Sequence, residues 1–512
     1  MDVPSLMCQA AQIYGRRTAI ITEDRILTFA EAWDRGVRVA NGLRALGVRR
    51  GDRVAGLEDN NLGRGGPVPG LRHRGRGPGA AVRAERPALT WADAGADGCP
   101  RRPQRPRVRD TVTGLENEIA TLDHVIIRDD RYEDWLAAQS AEDPMVGVDA
   151  DDWYIIRHSA GTTGRPKGVG YTQHDWLVCC RNWFYRLAPL RLSSVVGHAG
   201  PISHASGYLF LPTWLHGSAN LLFGAFDPEK VLRMMRDHRV THMFAAPSML
   251  PPLCRHPLAT KEGWPALETI LVGGAPITDA TALRAREVFG DVMYQVFGQT
   301  EAVPLTVMTP EEWFAELDDA TPLRAAGRVL PFALIEIRDA EGNALPIGEE
   351  GEIYARVEAQ MRGFWEDEEL TPRRLIDGWI RTEDIGRLDH YGYLYVLDRA
   401  DDMIVSGGFN IWPAELETVI EDHPQVREVA VFGVPHDQWG ETPMAVCTIE
   451  PGATVTEAEI ITLVTDRLGS YKKPSRVEFI TDPLPKSVVG KLQRKVLREQ
   501  HWAGHQRRVG GA

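Results

Sequence analysis

From residue 151 to about residue 397 the chain alternates short apolar runs with amphipathic stretches, and this alternation limits its fold more than any other feature. His242–Ala246 and Thr269–Val272 read as short apolar strands, whereas Pro228–Arg239 reads as a helical stretch. Strands that alternate with helices predict a parallel or mixed sheet covered by helices, an α/β fold. Ala333–Asp339 and Gly351–Val357, punctuated by Glu341-Gly342-Asn343 and Pro346-Ile347-Gly348, predict small antiparallel β structure at the end of this region. Beyond Asp401 the pattern restarts as a small α+β unit: a helix over Pro413–Glu421, a strand over Val426–Val434, a helix over Glu457–Leu468, and a tail after Arg498. A chain of 512 residues also exceeds what one hydrophobic core can serve.

Upstream, Thr28-Phe29-Ala30-Glu31 has the form of a capping box that opens a helix running through Leu43, and Arg50–Ala55 reads as a turn into a strand. Residues 61–110 break the pattern. They hold 11 Arg, 9 Gly and 7 Pro but no Lys, and no apolar periodicity. Three readings fit: a disordered basic insert that cannot bury enough apolar surface to fold, an Arg-rich nucleic-acid arm, or an out-of-frame reading of GC-rich DNA. The third is preferred, because the whole chain carries 50 Arg against 8 Lys and regular sequence resumes near Asp110.

The densest chemistry lies in Ser159-Ala160-Gly161-Thr162-Thr163-Gly164-Arg165-Pro166-Lys167-Gly168, just after the apolar run Trp153–Ile156, which reads as a short buried strand. Glycines admit close approach of backbone N–H groups to an anion, hydroxyls donate, and a lysine adds a point charge, so this is a phosphate-cradling loop. It is not a P-loop, since Pro166 and Gly168 stand where that motif needs Gly and Ser or Thr.

Further motifs follow in order. Gly273-Gly274-Ala275-Pro276 ends a strand with small residues that admit a flat ring against the backbone. Phe297-Gly298-Gln299-Thr300-Glu301 combines an aromatic face, a hydroxyl suited to phosphate, and a carboxylate suited to Mg2+. Arg381-Thr382-Glu383-Asp384 offers a carboxylate that can accept ribose hydroxyls, with Asp398-Arg399 beyond it, and Pro485–Leu492 presents Lys491 after a glycine. His204, in Pro201–Gly207, is by itself an unremarked histidine.

These motifs, in this order, resemble the adenylate-forming superfamily of acyl-CoA synthetases, peptide-synthetase adenylation domains and luciferases, with acyl-CoA synthetases nearest. The resemblance implies a large N-terminal domain of βαβ subdomains plus a small distorted β-barrel (residues 1–398), a hinge (399–401) at Asp401, and a small mobile C-terminal domain (402–512). It implies ATP held by Ser159, Gly161, Thr162, Thr163, Gly164 and Lys167 at the phosphates, by Gly274, Ala275, Pro276, Phe297, Gly298 and Gln299 around adenine, and by Asp384 and Arg399 at the ribose. Thr300 and Glu301 would serve the phosphate and Mg2+, Lys491 would promote adenylation, His204 would line the acyl pocket and gate the thiol, and Gly408 would line the pantetheine tunnel. The sequence departs from the family pattern at Phe297, where Tyr is usual, and at Glu383 and Asp398, where Gly is usual.

The implied activity is an ATP-dependent carboxylic acid:CoA ligase working through an acyl-adenylate. The alternatives are an acyl-AMP ligase that loads an acyl carrier protein and an inactive nucleotide-binding pseudoenzyme. The resemblance implies that a member activating an amino acid would carry an aspartate near His204 to pair with the ammonium; Gly200–Pro212 has no carboxylate, so the expected acid lacks an α-amino group. Tyr208, Leu209, Phe210 and Trp214 are either an apolar acyl pocket or helix core. A net charge of −13 argues against general nucleic-acid binding, and six cysteines without C-x-x-C spacing suggest reduced, buried thiols. With no secretory leader and no apolar run near the ~18 residues of a membrane span, the expected location is cytoplasmic.

Overall fold

The computed structural model describes residues 1–54, 124, 126, 131–160, 166–399, 402–406, 409–436, 439–449, 452–486 and 492–502, with the backbone only at residues 159, 160, 166, 399, 410 and 440. The anomalous 61–110 segment lies outside the described residues.

The strands of the large domain are β1 (Thr18–Ile21), β2 (Ile26–Thr28), β3 (Trp153–Ala160), β4 (Pro166–Thr172), β5 (Val195–His198), β6 (Ala219–Leu222), β7 (His242–Ala245), β8 (Thr269–Gly273), β9 (Met293–Gln299), β10 (Ala302–Met308), β11 (Gly327–Val329), β12 (Ala333–Arg338), β13 (Gly351–Val357), β14 (Leu375–Ile376), β15 (Trp379–Leu388) and β16 (Tyr393–Arg399). All but β3 and β4 join one sheet in the order β12-β13-β15-β16-β11-β10-β9-β8-β7-β5-β6-β1-β2, with β14 paired to β15. The run β1-β6-β5-β7-β8-β9 is parallel, as the alternation with helices requires.

Both faces of this parallel run are covered. Side chains alternate across a strand, so Phe244 and Leu271 join one core while Met243, Ala245, Ile270 and Val272 join the other. Helices Val3–Tyr14, Gln173–Trp183 and Gly207–His216 close the first face, and Pro228–Asp237 and Asp279–Phe289 close the second. The expected small barrel is the antiparallel wing β10–β16, which curls until β12 and β13 pack back on β10.

The capping box at Thr28 is formed in both directions: the Thr28 amide donates to the Glu31 carboxylate (2.8 Å) and the Glu31 amide donates to Thr28 Oγ1 (3.2 Å). Residues 52–54 are irregular, so the described part of the expected Arg50–Ala55 strand is not one. The Trp153–Ile156 strand is longer than expected, half-buried rather than buried, and forms an antiparallel hairpin with β4.

The small domain is an α+β unit. Its strands β17 (Ile404–Ser406), β18 (Phe409–Ile411), β19 (Val426–His436), β20 (Gly440–Ile449) and β21 (Arg476–Ile480) pair as β18-β17-β20-β19, with β21 parallel on β20. Helices Pro413–Glu421 and Glu457–Leu468 pack on one face, and Leu497 of helix Arg494–His501 packs on the other.

Candidate active site

Three of the expected motifs leave the same end of strands in the parallel run, from the neighbours β8 and β9 and from β5 on the far side of β7. The turn carrying His204 follows β5, Gly274-Ala275-Pro276 follows β8, and Phe297-Gly298-Gln299 closes β9. The carboxyl ends of parallel strands are where open α/β sheets place ligands, because the loops leaving them diverge there. Gly274 takes φ +88°, and among the described residues no heavy atom beyond its chain neighbours lies within 4 Å of where its Cβ would be, so the backbone is open on that side. Ala275 and Pro276 continue this partly exposed turn. Phe297 is half-buried, packed between two apolar clusters.

His204 is half-buried in a tight turn, with its Nδ1 3.0 Å from Ser203 Oγ. That turn depends on Gly207: a Cβ there would sit 1.8 Å from the carbonyl oxygen of Ile202. Beneath it His198 bridges Ser206 Oγ (2.9 Å) and Asn220 Oδ1 (2.8 Å), and burial holds its imidazole down to about 4.

Thr300 and Glu301 form the tip of a two-residue hairpin between β9 and β10, where Gln299 pairs with Ala302. Tyr171 of β4 donates its hydroxyl to the Thr300 carbonyl at 2.5 Å, which ties this tip to the strand that follows the Gly-rich loop. Glu301 is largely buried, and its carboxylate makes no hydrogen bond or salt bridge among the described residues. Among those residues no group of three or more His, Cys, Asp or Glu could hold a metal ion alone. A single carboxylate of this kind suits a hard cation that takes most of its ligands from substrate phosphates and water.

The ribose candidates meet through sheet register. Asp384 of β15 pairs directly with Arg399 of β16. Gln299 reaches across from β9 and donates its amide nitrogen to Asp384 Oδ2 and to the Thr382 carbonyl, both at 2.7 Å. The nucleotide motifs of the parallel run and the antiparallel wing therefore share one edge. Lys167 of β4 pairs with Ser159 of β3 at the base of the Gly-rich loop, and its ammonium lies 5.8 Å from the Phe364 ring. Gly161, Thr162, Thr163, Gly164, Asp401, Gly408 and Lys491 lie outside the described residues.

One open alternative is decided and one expectation is corrected. Leu209 and Trp214 are core rather than pocket: Trp214 is buried against Phe29 and donates its indole N–H to the Met7 carbonyl at 3.1 Å. Tyr208 is buried too, stacked between Trp183 and Trp176 with the Arg157 guanidinium 4.1 Å from its ring, while Phe210 is half-buried. Cys8 is partly exposed, unlike the buried Cys179, Cys180, Cys254 and Cys447.

Sequence reading did not single out Arg374, Tyr171 or Arg494. Arg494 is largely, though not fully, buried at the junction of the two domains, where it donates to Asp398 Oδ1 (3.1 Å), Asp402 Oδ2 (3.0 Å) and the Glu417 carboxylate (2.8 and 2.5 Å). The other Asp398 oxygen accepts from the Ala414 amide at 3.0 Å, and burial pushes this carboxyl up to about 6 despite the cation beside it.

The AMP-binding enzyme family matches residues 8–62 and 90–365, and its AMP-binding enzyme C-terminal domain matches residues 415–491. The chain belongs to the AMP-binding enzyme family. It sits within the adenylate-forming superfamily, near the acyl-CoA synthetases. The chain is 34% identical over 500 residues to a feruloyl-CoA synthase of Amycolatopsis sp., covering 96% of this chain and 97% of that one. Among solved structures it is similar to ATP-bound MatB from Rhodopseudomonas palustris, with a TM-score of 0.79 and 27% identity over 98% of this chain and 99% of that one. It is also similar to o-succinylbenzoate CoA synthetase from Bacillus subtilis in complex with its acyl-adenylate, with a TM-score of 0.78 and 26% identity over 97% and 98%. Among the described residues no helix is long and apolar enough to cross a membrane.

Proposed function

We propose that this chain, an AMP-forming acid–thiol ligase, activates an apolar or aromatic carboxylic acid without an α-amino group and passes the acyl group to coenzyme A. The observation that carries the reading is the shared edge on which Gln299 joins the Thr300–Glu301 hairpin to Asp384 and its strand neighbour Arg399. An aromatic acid is favoured by the likeness to a feruloyl-CoA synthase along nearly the whole chain.

A carboxylate is a poor acyl donor because its oxygen leaves badly. Attack of that oxygen on the α-phosphorus of ATP forms acyl-AMP and releases pyrophosphate. A thiol then displaces AMP. Asp384, with Arg399 beside it, holds the ribose, and the small residues Gly274, Ala275, Pro276 and Gly298 admit adenine beside Phe297 and Gln299. Ser159, Gly161, Thr162, Thr163, Gly164 and Lys167 bind the phosphates that leave, and the Thr300 hydroxyl steadies the α-phosphate. Glu301 would hold Mg2+, which when bound would supply neutralisation of phosphate charge. Lys491 neutralises charge that grows as the anhydride forms. The thiol enters past His204 and Gly408 after the small domain turns at Asp401.

Acid-dependent pyrophosphate release, run over hydroxycinnamic, fatty and amino acids, tests the substrate class. AMP release on adding CoA or an acyl carrier protein identifies the acceptor. Lys491→Ala is expected to lower acyl-AMP formation by about 100-fold or more, in the range of losing one group that stabilises transition-state charge, while sparing thioester formation from supplied acyl-AMP. Equal loss of both half-reactions would remove Lys491 from this role.

A further inference from the structure

Glu383 adopts φ +61°, a left-handed conformation that glycine takes without strain and that other residues take at a cost. Its carboxylate meets Arg374, at the end of the short helix Thr371–Arg374, at 2.8 Å. Arg374 is only 3% exposed, and each nitrogen of its guanidinium is hydrogen-bonded. Nε donates to the Arg381 carbonyl (2.7 Å), and Nη2 donates to the Thr382 carbonyl (3.4 Å) and to Gln299 Oε1 (3.2 Å).

That last bond decides how Gln299 points. A guanidinium has donors and no acceptor, so the Gln299 atom that faces it must be the amide oxygen. The amide nitrogen is thereby turned toward Asp384 Oδ2 and the Thr382 carbonyl. Reversed, the amide would set its oxygen against the Asp384 carboxylate. Asp384 is itself buried, so an unfavourable neighbour there is poorly screened by water.

We propose that Arg374 is a positioning residue for nucleotide recognition: through Gln299 it holds the Asp384 carboxylate in the orientation that accepts the ribose hydroxyls. Glu383 supplies the counter-charge that lets a cation be buried at this spot. The proposal rests on the reading of Asp384 as the ribose acceptor.

The test is the double variant Arg374→Ala/Glu383→Gly, which leaves no buried unpaired charge and puts glycine at the left-handed position. Acid-dependent pyrophosphate release is measured with ATP, 2′-deoxy-ATP and 3′-deoxy-ATP. The wild-type protein is expected to prefer ATP in kcat/KM by about tenfold or more over at least one analogue, the effect of one charge-assisted hydrogen bond. In the double variant the preference should shrink to within about threefold through a higher KM for ATP, while kcat at saturating ATP changes little, since uniform binding and not chemistry is lost. Glu383→Asp keeps a carboxylate beside Arg374, and with it the Arg374 bond to Gln299, and should retain the preference. A double variant that discriminates as the wild type does would overturn the proposal, as would loss of discrimination in Glu383→Asp with Arg374 in place. A wild-type protein that does not distinguish ATP from either analogue would instead overturn the ribose reading of Asp384, and the proposal with it.

Discussion

Gly207 and His198 show how single positions support the turn that carries His204. The Gly207 Cα faces the Ile202 carbonyl so closely that an added methyl group would overlap it, and backbone on both sides leaves no cheap relief. Gly207→Ala is therefore expected to cost about 3 kcal/mol in urea unfolding, at the upper end of overpacking penalties. It should also reduce acid-dependent pyrophosphate release, because the displaced turn carries His204. His198 contributes through its neutrality. Its folded pKa of about 4 lies below that of an ordinary unfolded histidine, so between those values the unfolded chain binds the proton more readily. Its contribution is complete above about pH 6.5 and is lost as pH falls toward 4, by roughly 3 kcal/mol in all. Stability of the wild-type protein should thus fall more steeply over that window than stability of His198→Gln; parallel curves would show that His198 is not the group responsible.

Helix Arg494–His501 is joined to β16 and helix Pro413–Glu421 chiefly by charge. Helix Pro413–Glu421 begins at Trp412, which provides no side-chain cap, and Asp398 supplies the missing acceptor from β16 through the Ala414 amide. Arg494 then neutralises Asp398, Asp402 and Glu417 together. Replacing it with methionine would take the cation away from Asp398 and Glu417 and leave Asp402 with Arg498 at 3.5 Å. Arg494→Met should cost about 3–5 kcal/mol, the usual result of removing one partner from a buried ion cluster, read as a lower denaturation midpoint. The departure from glycine at position 398 thus acquires a function: the carboxylate fastens the small domain to the strand just before residues 399–401. Residues 494 and 398 are far apart in sequence, and no local pattern marks them as partners.

In the whole molecule, one sheet runs from the antiparallel wing to the first strands of the chain, and the small domain begins where that sheet ends. The family match stops at residue 62 and resumes at residue 90, so its break falls within the arginine-, glycine- and proline-rich 61–110 segment. If this segment is read out of frame, one of the two other frames of the coding DNA should encode an apolar strand and an amphipathic helix between those points. Expressing that version should raise the thermal midpoint and the rate of acid-dependent pyrophosphate release. Two further frames without such a pattern would leave the insert as genuine sequence.

Periodicity by itself determined the α/β class with a parallel or mixed sheet and most element positions, because a strand or helix that must bury one or both faces writes its period into the chain. Motif chemistry likewise marked the Gly-rich loop, the Gly274 turn, the Thr300–Glu301 hairpin and Asp384. What folding alone decided is which of these meet. The capping box at Thr28 lies within four residues and was legible, whereas the path Arg374–Gln299–Asp384 joins a short helix, a parallel strand and an antiparallel strand. The aromatic residues Tyr208 and Trp214 carry the same composition whether they line a pocket or fill a core; only the packing of Trp214 on Phe29 and of Tyr208 between two tryptophans assigned them to the core. Local periods record burial, but partners come from the pairing of distant strands, and that pairing has no signature short enough to read along the chain.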